Sequence, residues 1–342
     1  MRKIRAGVLG ATGAVGQRFI EQLQNHPWFE LTSLAASQRS AGKKYRDAAR
    51  WRLEHELPTE VGEMDVVSVD PDIVDADVVF SALPTDKAKK VEADFAKAGF
   101  VVASNASAYR FEDDVPLMIP ECNPEHLGLI DLQRERRGWE GYIVTNPNCT
   151  TIMFTLTLKP LMEMEIQRVM IASMQAVSGA GYDGVPSMAI LGNVLPYIPG
   201  EEEKVELEAQ KILGTFDGEK IVNAGFGLSA SCHRVPVMDG HLEALWVDMT
   251  ADPTPDEVKD AFLAFSPGLA DLPTEPDMPI IVREEPDRPQ PRLDRNAGDG
   301  MSVTVGRIRE GIRYIVMGHN TIRGAAGASV LNAELLHKKG LL

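Results

Sequence analysis

Residues 3–16, KIRAGVLGATGAVG, run from an apolar segment into a glycine-rich turn, and QRFIEQLQNH at 17–26 continues with helical spacing. A buried strand, a turn with three glycines and a helix predict a dinucleotide site. Glycine lets the backbone approach a pyrophosphate, and the first N–H groups of the helix can bind its oxygens. The predicted cofactor contacts in this turn are Gly10, Thr12, Gly13, Ala14, Val15 and Gly16.

Around this turn, apolar runs alternate with helical patterns along the first half of the chain. Strands are predicted at 3–9, 31–37, 64–69, 76–83, 99–107 and 142–145, and a helix at 86–98. Such alternation predicts βαβ units and a doubly wound parallel sheet of the Rossmann type. We expect a nucleotide-binding domain at 1–148, completed by a C-terminal helix within 323–342.

The second half has a different pattern. Longer strands are predicted at 168–181, 228–238, 241–250 and 301–310, with helices after residue 149 and at 201–213. The six prolines between residues 273 and 291 make 271–300 an expected ordered arm or surface loop. Residues 149–322 are therefore expected to form an α+β catalytic and oligomerisation domain with a mixed sheet.

Charge and cysteine usage narrow the class of function. A formal charge of -15 would repel nucleic acid phosphates, so no nucleic acid partner is expected. The three cysteines are far apart and odd in number, which favours a reducing cytoplasm over a secreted disulfide framework. No Cys/His spacing predicts a metal site, and no apolar run is long enough to predict a membrane span.

The end of the second predicted strand favours NADP over NAD. An NAD site usually has an acidic residue there for the ribose 2′-hydroxyl. This chain instead has Ser37, Arg39 and Ser40, and no acid at the tip. Two hydroxyls and a guanidinium suit the additional 2′-phosphate of NADP.

Cys149 is the predicted nucleophile. It lies in NPNCTT (146–151), between a strand and a helical segment, where the helix dipole is expected to lower the thiol pKa. A thiolate next to a nicotinamide can add to an aldehyde and then form a thioester after hydride loss. His241 is the predicted proton shuttle, whereas Cys122 and Cys232 are expected to be inert and buried.

The motifs together resemble one family. GATGAVG, the SxRSAGK pattern at 37–43, SNASAYR at 104–110, NPNCTT, QAVSGAGYDG at 175–184 and the 232–241 segment occur in the order found in aspartate-semialdehyde dehydrogenases. RPQPRLDR at 288–295 and HNTIRGAAG at 319–327 are similar to the archaeal and fungal branch. The resemblance covers nearly the whole chain. It implies NADPH-dependent reduction of aspartyl phosphate to aspartate semialdehyde, with release of phosphate, for lysine, methionine and threonine synthesis.

The resemblance also implies roles for individual residues. Cys149 would be the nucleophile, His241 the acid/base and Gln175 the group that orients the acyl carbon. Arg234 would bind the substrate carboxylate, Glu201 its amino group, and Lys204 and Arg110 the phosphate. Asn148 is a further expected substrate contact, and the remaining expected cofactor contacts are Ser178, Gly179 and Asn320. Three consecutive glutamates at 201–203 leave the register of Glu201 open. A homodimer or homotetramer is expected.

Two alternatives remain open from the sequence. A malonyl-CoA reductase of the same superfamily would use the same thioester chemistry with room for coenzyme A in place of a phosphate site. SNASAYR and Lys204 favour phosphate. A non-catalytic NADP-binding sensor on the same fold is the second alternative. The joint presence of Cys149, Gln175, Arg234 and His241 argues against it.

Overall fold

The computed structural model describes residues 2–269 and 271–342, so Met1, the first residue of the expected nucleotide-binding domain, lies outside the described residues. Six parallel strands form the first sheet, in the order β3-β2-β1-β4-β5-β6. They are β1 Ile4–Leu9, β2 Phe29–Ala36, β3 Val66–Ser68, β4 Val78–Ser81, β5 Val101–Ser104 and β6 Tyr142–Thr145. This strand order is that of a dinucleotide-binding sheet, and the predicted fold class is confirmed.

Helices cover both faces of this sheet, which explains why its strands are apolar on both sides. Those of the first half are α1 Ala14–Leu23, α2 Tyr45–Ala48, α3 Thr59–Gly62, α4 Thr85–Lys97 and α5 Leu129–Arg137. Phe19 of α1 and Phe80 of β4 have ring centroids 5.2 Å apart in the main core of this half. The last helix of the chain, at 327–338, contributes Val330 and Leu331 to the same core.

The second sheet is mixed and has the order β10-β7-β11-β14-β13-β12. The second-half strands are β7 Ile166–Gln175, β8 Thr215–Phe216, β9 Ile221–Val222, β10 Gly227–Arg234, β11 His241–Met249, β12 Ile280–Arg283, β13 Val303–Arg309 and β14 Arg313–Gly318. The helices are α6 Cys149–Leu158, α7 Ser187–Ile190, α8 Glu201–Ile212, α9 Pro255–Ala264, α10 Pro291–Asp294 and α11 Gly327–Lys338. Strands β8 and β9 form a separate two-stranded sheet.

The expected arm at 271–300 is partly wrong, because it contains an edge strand and a short helix. Residues 280–283 pair in parallel with β13. The flanking Pro279 and Pro286 hid this strand in the sequence pattern, yet an edge strand tolerates proline because one side of it forms no ladder. Strands β7 and β10 also end earlier than predicted, at Gln175 and Arg234.

One face of the second sheet is covered and the other is open. Helices α6 and α8 pack on the covered face, where Ile152, Val205 and Val247 share one core. On the opposite face, Met170 and Trp246 are directly paired across β7 and β11 and are 37% and 38% exposed. Helix α6 begins four residues after β6 ends, so its first turn lies where the two sheets meet. No helix in the described part of the chain has the length and apolarity needed to cross a membrane.

Candidate active site

The first turn of α6 holds Cys149 in a fixed position. Asn148 is the N-cap, and its Oδ1 accepts hydrogen bonds from the backbone N–H groups of Thr150 at 2.8 Å and Thr151 at 3.3 Å. Such a cap satisfies two of the four N–H groups that a helix start leaves without partners. The Asn148 side chain is buried, and Cys149 itself is partly buried.

Cys149 is paired with His241 across the interface between α6 and the second sheet. The distance between Cys149 Sγ and His241 Nε2 is 3.2 Å. His241 Nδ1 accepts a hydrogen bond from the backbone N–H of Ala176 at 3.0 Å. Because Nδ1 is an acceptor, the neutral ring carries its proton on Nε2, and Nε2–H donates to the sulfur.

Burial dominates the titration of both groups. It raises the pKa of Cys149 to about 12, with Glu201 acting in the same direction and Arg234 and Arg110 against it. Burial, followed by the charge of Arg234, lowers the pKa of His241 to about 3. The predicted lowering of the thiol pKa is therefore wrong for the protein alone. The helix start favours a thiolate, but desolvation of the sulfur outweighs it.

This titration behaviour predicts that the alkylation rate of Cys149 rises with pH without a plateau. With a thiol pKa near 12, the thiolate fraction, and thus the rate of alkylation by iodoacetamide, should rise about tenfold per pH unit between about pH 6 and pH 9. A thiolate–imidazolium pair would instead give a plateau above the imidazole pKa. Peptide mass spectrometry that follows Cys149 separately from the buried Cys122 and Cys232 measures the rate. A plateau over that range contradicts the prediction.

Three polar side chains stand at the ends of neighbouring strands, close to the thiol. Arg234 and Gln175 are register partners at the ends of β10 and β7, and His241 begins β11. All three are buried. Arg234 Nη1 donates to the carbonyl of Ala176 at 2.8 Å, and Gln175 Nε2 donates to Ser173 Oγ at 3.2 Å. The early ends of β7 and β10 thus bring together residues that are far apart in sequence.

The thiol opens into a cavity of about 480 Å³ between the two halves of the chain. The predicted nucleophile Cys149 lines it, together with all five predicted substrate residues, Arg110, Asn148, Glu201, Lys204 and Arg234. Glu201 is 7% exposed and Glu203 is exposed, so Glu201 is the glutamate of the 201–203 run that faces the cavity. Lys204 Nζ lies 3.8 Å from Glu201 Oε2.

Arg110 lines this cavity and is held by two hydrogen bonds. Its Nη1 donates to Glu208 at 2.9 Å and its Nη2 donates to the carbonyl of Asn105 at 2.9 Å. The buried Nε has no hydrogen-bond partner among the described residues. Each Nη of the guanidinium has a second N–H, and a guanidinium charge at a cavity suits an anion such as phosphate.

The glycine-rich turn has the shape that a pyrophosphate needs. A Cβ on Gly16 would lie 2.3 Å from the carbonyl oxygen of Gly10, and Gly10 has a φ of +82°, so both positions require glycine. A Cβ on Gly13 would meet only that same oxygen at 3.4 Å, which leaves open space beside the turn. The neighbouring Thr12, Ala14 and Val15 are all partly exposed at the start of α1.

The three predicted 2′-phosphate residues follow directly after β2. Ser37 and Arg39 are exposed and Ser40 is partly exposed, in a turn where the Ser40 N–H donates to the Ser37 carbonyl at 2.8 Å. The turn stands beside the glycine-rich segment, because the N–H groups of Gly10 and Ala11 both donate to the carbonyl of Ala35.

The remaining predicted cofactor residues surround the Cys149–His241 pair. Asn320 Nδ2 donates to Ser178 Oγ at 2.9 Å, and Asn320 Oδ1 accepts from the Gly240 N–H at 2.8 Å. Asn320 therefore already holds the 178 loop and the turn before His241. Gly179 lies so near the site that a Cβ would be 2.6 Å from Arg234 Nη1 and 3.3 Å from His241 Cε1.

Sequence reasoning missed three residues close to Cys149. Gly324, in a π-helical turn at Ile322–Ala326, packs so tightly that a Cβ would lie 2.6 Å from the Cys149 Cβ. Glu208 binds Arg110 and the backbone of Asn148. Glu243 is buried two residues after His241. Only Glu208 had a sequence signal, since it falls on the same helical face as Glu201 and Lys204.

Glu243 predicts a pH-dependent stability difference. Neither carboxyl oxygen has a partner within residues 2–269 and 271–342, and burial raises the pKa of Glu243 well above its ordinary value. The folded state thus keeps a proton that the unfolded chain loses above about pH 4.5. Relative to Glu243→Gln, the wild-type free energy of unfolding should fall by up to about 1.4 kcal/mol per pH unit above that point.

Urea unfolding at several pH values tests this difference. The matched control is Glu203→Gln, which removes an exposed carboxylate. We expect no such widening with pH between wild type and Glu203→Gln. A gap between wild type and Glu243→Gln that stays constant with pH would show that Glu243 is ionised in the folded protein.

Two family models match the two halves of the chain. The model described as "Semialdehyde dehydrogenase, NAD binding domain" matches residues 5–130, and "Semialdehyde dehydrogenase, dimerisation domain" matches residues 158–323. An aspartate-semialdehyde dehydrogenase of Archaeoglobus fulgidus is 62% identical over 340 residues, which cover 98% of both chains. The aspartate-semialdehyde dehydrogenase of Schizosaccharomyces pombe is 44% identical over 355 residues, covering 99% of both.

Solved structures show the same similarity. The aspartate-semialdehyde dehydrogenase of Candida albicans with NADP has a TM-score of 0.91 and 41% identity, with 100% of both chains covered. An aspartate-semialdehyde dehydrogenase II of Vibrio cholerae, complexed with ASA, has a TM-score of 0.78 and 27% identity, with 99% of both chains covered.

Proposed function

Since the chain belongs to the aspartate-semialdehyde dehydrogenase family, we propose that it reduces L-aspartyl 4-phosphate to L-aspartate 4-semialdehyde with NADPH and releases phosphate. The resemblance to the archaeal and fungal branch is confirmed by relatives of both kinds. The observation that carries the proposal is the Cys149–His241 contact at 3.2 Å, on a cavity that also holds Arg110, Lys204 and Arg234.

Cys149 is the nucleophile of this proposal. The Cys149 thiol loses its proton and the sulfur attacks the acyl carbon of aspartyl phosphate. The C–O bond to phosphate breaks, the leaving phosphate takes up a proton, and a thioester forms on the sulfur. The Asn148 cap and the Cys149–His241 contact fix the direction of the sulfur. NADPH held at this site would supply the hydride that reduces the thioester to a hemithioacetal oxyanion. Collapse of this oxyanion releases the aldehyde and returns the thiolate.

His241, the predicted proton shuttle, donates a hydrogen bond to the sulfur in this geometry. Its Nδ1 is occupied by the Ala176 N–H, and its Nε2–H faces the sulfur. In that state Nε2–H can donate a hydrogen bond to the thiolate. It can later donate to the oxyanion that forms at the acyl carbon. Once the thiolate has formed, the later steps keep one negative charge at the site, so they require no proton transfer to the ring. We assign the orientation of the acyl group to Gln175, at the end of β7.

The substrate's charged groups match the charges around the cavity. We assign the α-carboxylate to Arg234, whose guanidinium is buried, and the α-amino group to Glu201. The phosphate is assigned to Lys204 and Arg110, two cations that line the cavity. Asn148, held between these groups, is a further substrate contact.

The residues present fit NADP. Glycines 10, 13 and 16 leave the space and the helix start that a pyrophosphate needs, and the turn after β2 supplies Ser37, Arg39 and Ser40 for a 2′-phosphate. Gly179 lines the cavity together with the thiol, and we assign Ser178, Gly179 and Asn320 to the nicotinamide end. The assigned nucleotide-binding domain is 1–148, completed by 323–342, and the catalytic domain is 149–322.

The experiment that tests this function follows NADPH formation with aspartate semialdehyde, NADP and inorganic phosphate, omitting each in turn. Strict dependence on all three is the expected result. NADPH oxidation with malonyl-CoA and no reaction with aspartate semialdehyde would move the substrate to the coenzyme A thioester. No reaction with either, with NADP still bound, would favour the non-catalytic sensor.

The matched dimerisation domain implies an oligomer, and we assign its interface to the open face of the second sheet, as a homodimer or a homotetramer. The directly paired Met170 and Trp246 lie on this face. Trp246→Glu should reduce the mass measured by light scattering to that of one chain. Leu263→Glu, which changes an exposed leucine on α9, is the control and should leave the mass unchanged. An unchanged mass in Trp246→Glu would exclude this face.

We also assign the chain to the cytoplasm. All three cysteines are free thiols, and two of them are buried in the cores. Free thiols, one of them a nucleophile, suit a reducing compartment. A fluorescently tagged chain that collects in any other compartment would contradict this assignment.

A further inference from the structure

Helix α8 carries a buried carboxylate, Glu208, that the proposed mechanism does not use. The side chain is fully buried. Its Oε1 accepts a hydrogen bond from Arg110 Nη1 at 2.9 Å, and its Oε2 accepts from the backbone N–H of Asn148 at 2.6 Å. One carboxylate thus joins an arginine of the nucleotide-binding half to the cap of the helix that carries the nucleophile.

Helix α8 also holds the segment that contains Arg110. The buried ammonium of Lys211 donates to the carbonyls of Arg110, Glu112 and Val115 at 2.8–2.9 Å. The main chain around Arg110 is therefore fixed by Lys211, and its guanidinium by Glu208 and the carbonyl of Asn105. Arg110 also lines the cavity, where each Nη has a second N–H beyond its bond to Glu208 or Asn105.

The same helix fixes Asn148 from two directions. Asn148 Nδ2 donates to Glu201 Oε1 at 2.9 Å, while its backbone N–H donates to Glu208. Asn148 in turn caps the first turn of α6 through Thr150 and Thr151. A displacement of Glu208 would therefore move both the guanidinium and the start of the Cys149 helix.

We propose that Glu208 is a positioning residue that fixes the phosphate-binding Arg110 and the start of the Cys149 helix at a set distance from each other. Phosphate held at Arg110 is then within reach of the acyl carbon on the sulfur. This inference rests on the proposed function of the site. Both partners of Glu208 are donors, so a carboxylate satisfies both, whereas an amide of equal size presents its own N–H groups to one of them.

The test compares Glu208→Gln with Glu203→Gln, an exposed carboxylate on the same helix. In Glu208→Gln we expect the KM for phosphate to rise about tenfold, because one buried donor loses its acceptor, while the KM for NADP stays unchanged. Glu203→Gln should leave both constants unchanged. If Glu208→Gln does not fold, Glu208→Asp keeps the charge, cannot reach both partners, and should raise the same KM.

A second readout does not depend on turnover. Inorganic phosphate should protect wild-type Cys149 from iodoacetamide, and the half-protecting concentration should rise about tenfold in Glu208→Gln. If wild type does not turn over aspartate semialdehyde but this shift is seen, the proposed function fails and the positioning role stands. A Glu208→Gln protein that behaves as Glu203→Gln in both measurements overturns the inference. The inference is also overturned if phosphate does not protect Cys149 of the wild-type chain from iodoacetamide.

Discussion

Cys149→Ser is expected to lower turnover by on the order of 10⁴-fold or more, because loss of the nucleophile removes the covalent route. A serine hydroxyl has a far higher pKa than a thiol, and the site holds no strong base for it. The His241 ring is neutral, with Nε2–H directed at the nucleophile and Nδ1 occupied by Ala176. Initial rates of NADPH formation measure the loss, and NADPH fluorescence measures whether the cofactor is still bound.

Cofactor binding should survive this substitution, since the glycine-rich turn and the residues after β2 are untouched. The matched control is Cys122→Ser, in which a thiol of the same kind lies buried in the core and not in the cavity. It should keep near-normal turnover per folded molecule. Near-normal turnover in Cys149→Ser would contradict a thioester intermediate on Cys149.

The second large effect is expected at Gly324, a residue to which no substrate or cofactor contact is assigned. Gly324→Ala would place a methyl group 2.6 Å from the Cys149 Cβ and 3.0 Å from its Cα. The side chain cannot retreat, because Cys149 is fixed by the Asn148 cap. We expect turnover to fall by about 10²-fold, the loss typical of a nucleophile displaced by about 1 Å.

The direction of the change in Gly324→Ala distinguishes a clash with Cys149 from an effect of helix propensity. Alanine is a better helix former than glycine by about 1 kcal/mol, so propensity alone predicts a neutral or stabilising change. The control is Gly225→Ala, where a Cβ would meet nothing within 4 Å and φ is not positive. Unchanged turnover in Gly324→Ala, with the fold checked by circular dichroism, would show that α6 can shift without loss of function.

The local sequence pattern predicted an element correctly where the element is buried on all sides. The strand at 142–145 was predicted to the residue, because a parallel sheet buries its strands on both faces and their sequence is apolar throughout. The glycine-rich turn and the helix after it were predicted from their local pattern as well. The strand at 280–283 was missed, since its pairing with β13 is a long-range contact and prolines flank it. Propensity has no information on such a partner.

The sequence by itself determined the fold class, the family and the types of residue at the site. Strand, glycine turn and helix follow from local sterics, and the thiol, histidine and arginines stand in motifs that can be read one at a time. Tertiary structure alone decided how those groups behave. Burial raises the pKa of Cys149 to about 12, against the direction predicted from its helix position. The hydrogen bond from the Ala176 N–H determines which nitrogen of His241 carries the proton. Glu208 forms hydrogen bonds with both Arg110 and Asn148. Desolvation and hydrogen bonding depend on which atoms surround a group, and those atoms come from segments far apart in the chain.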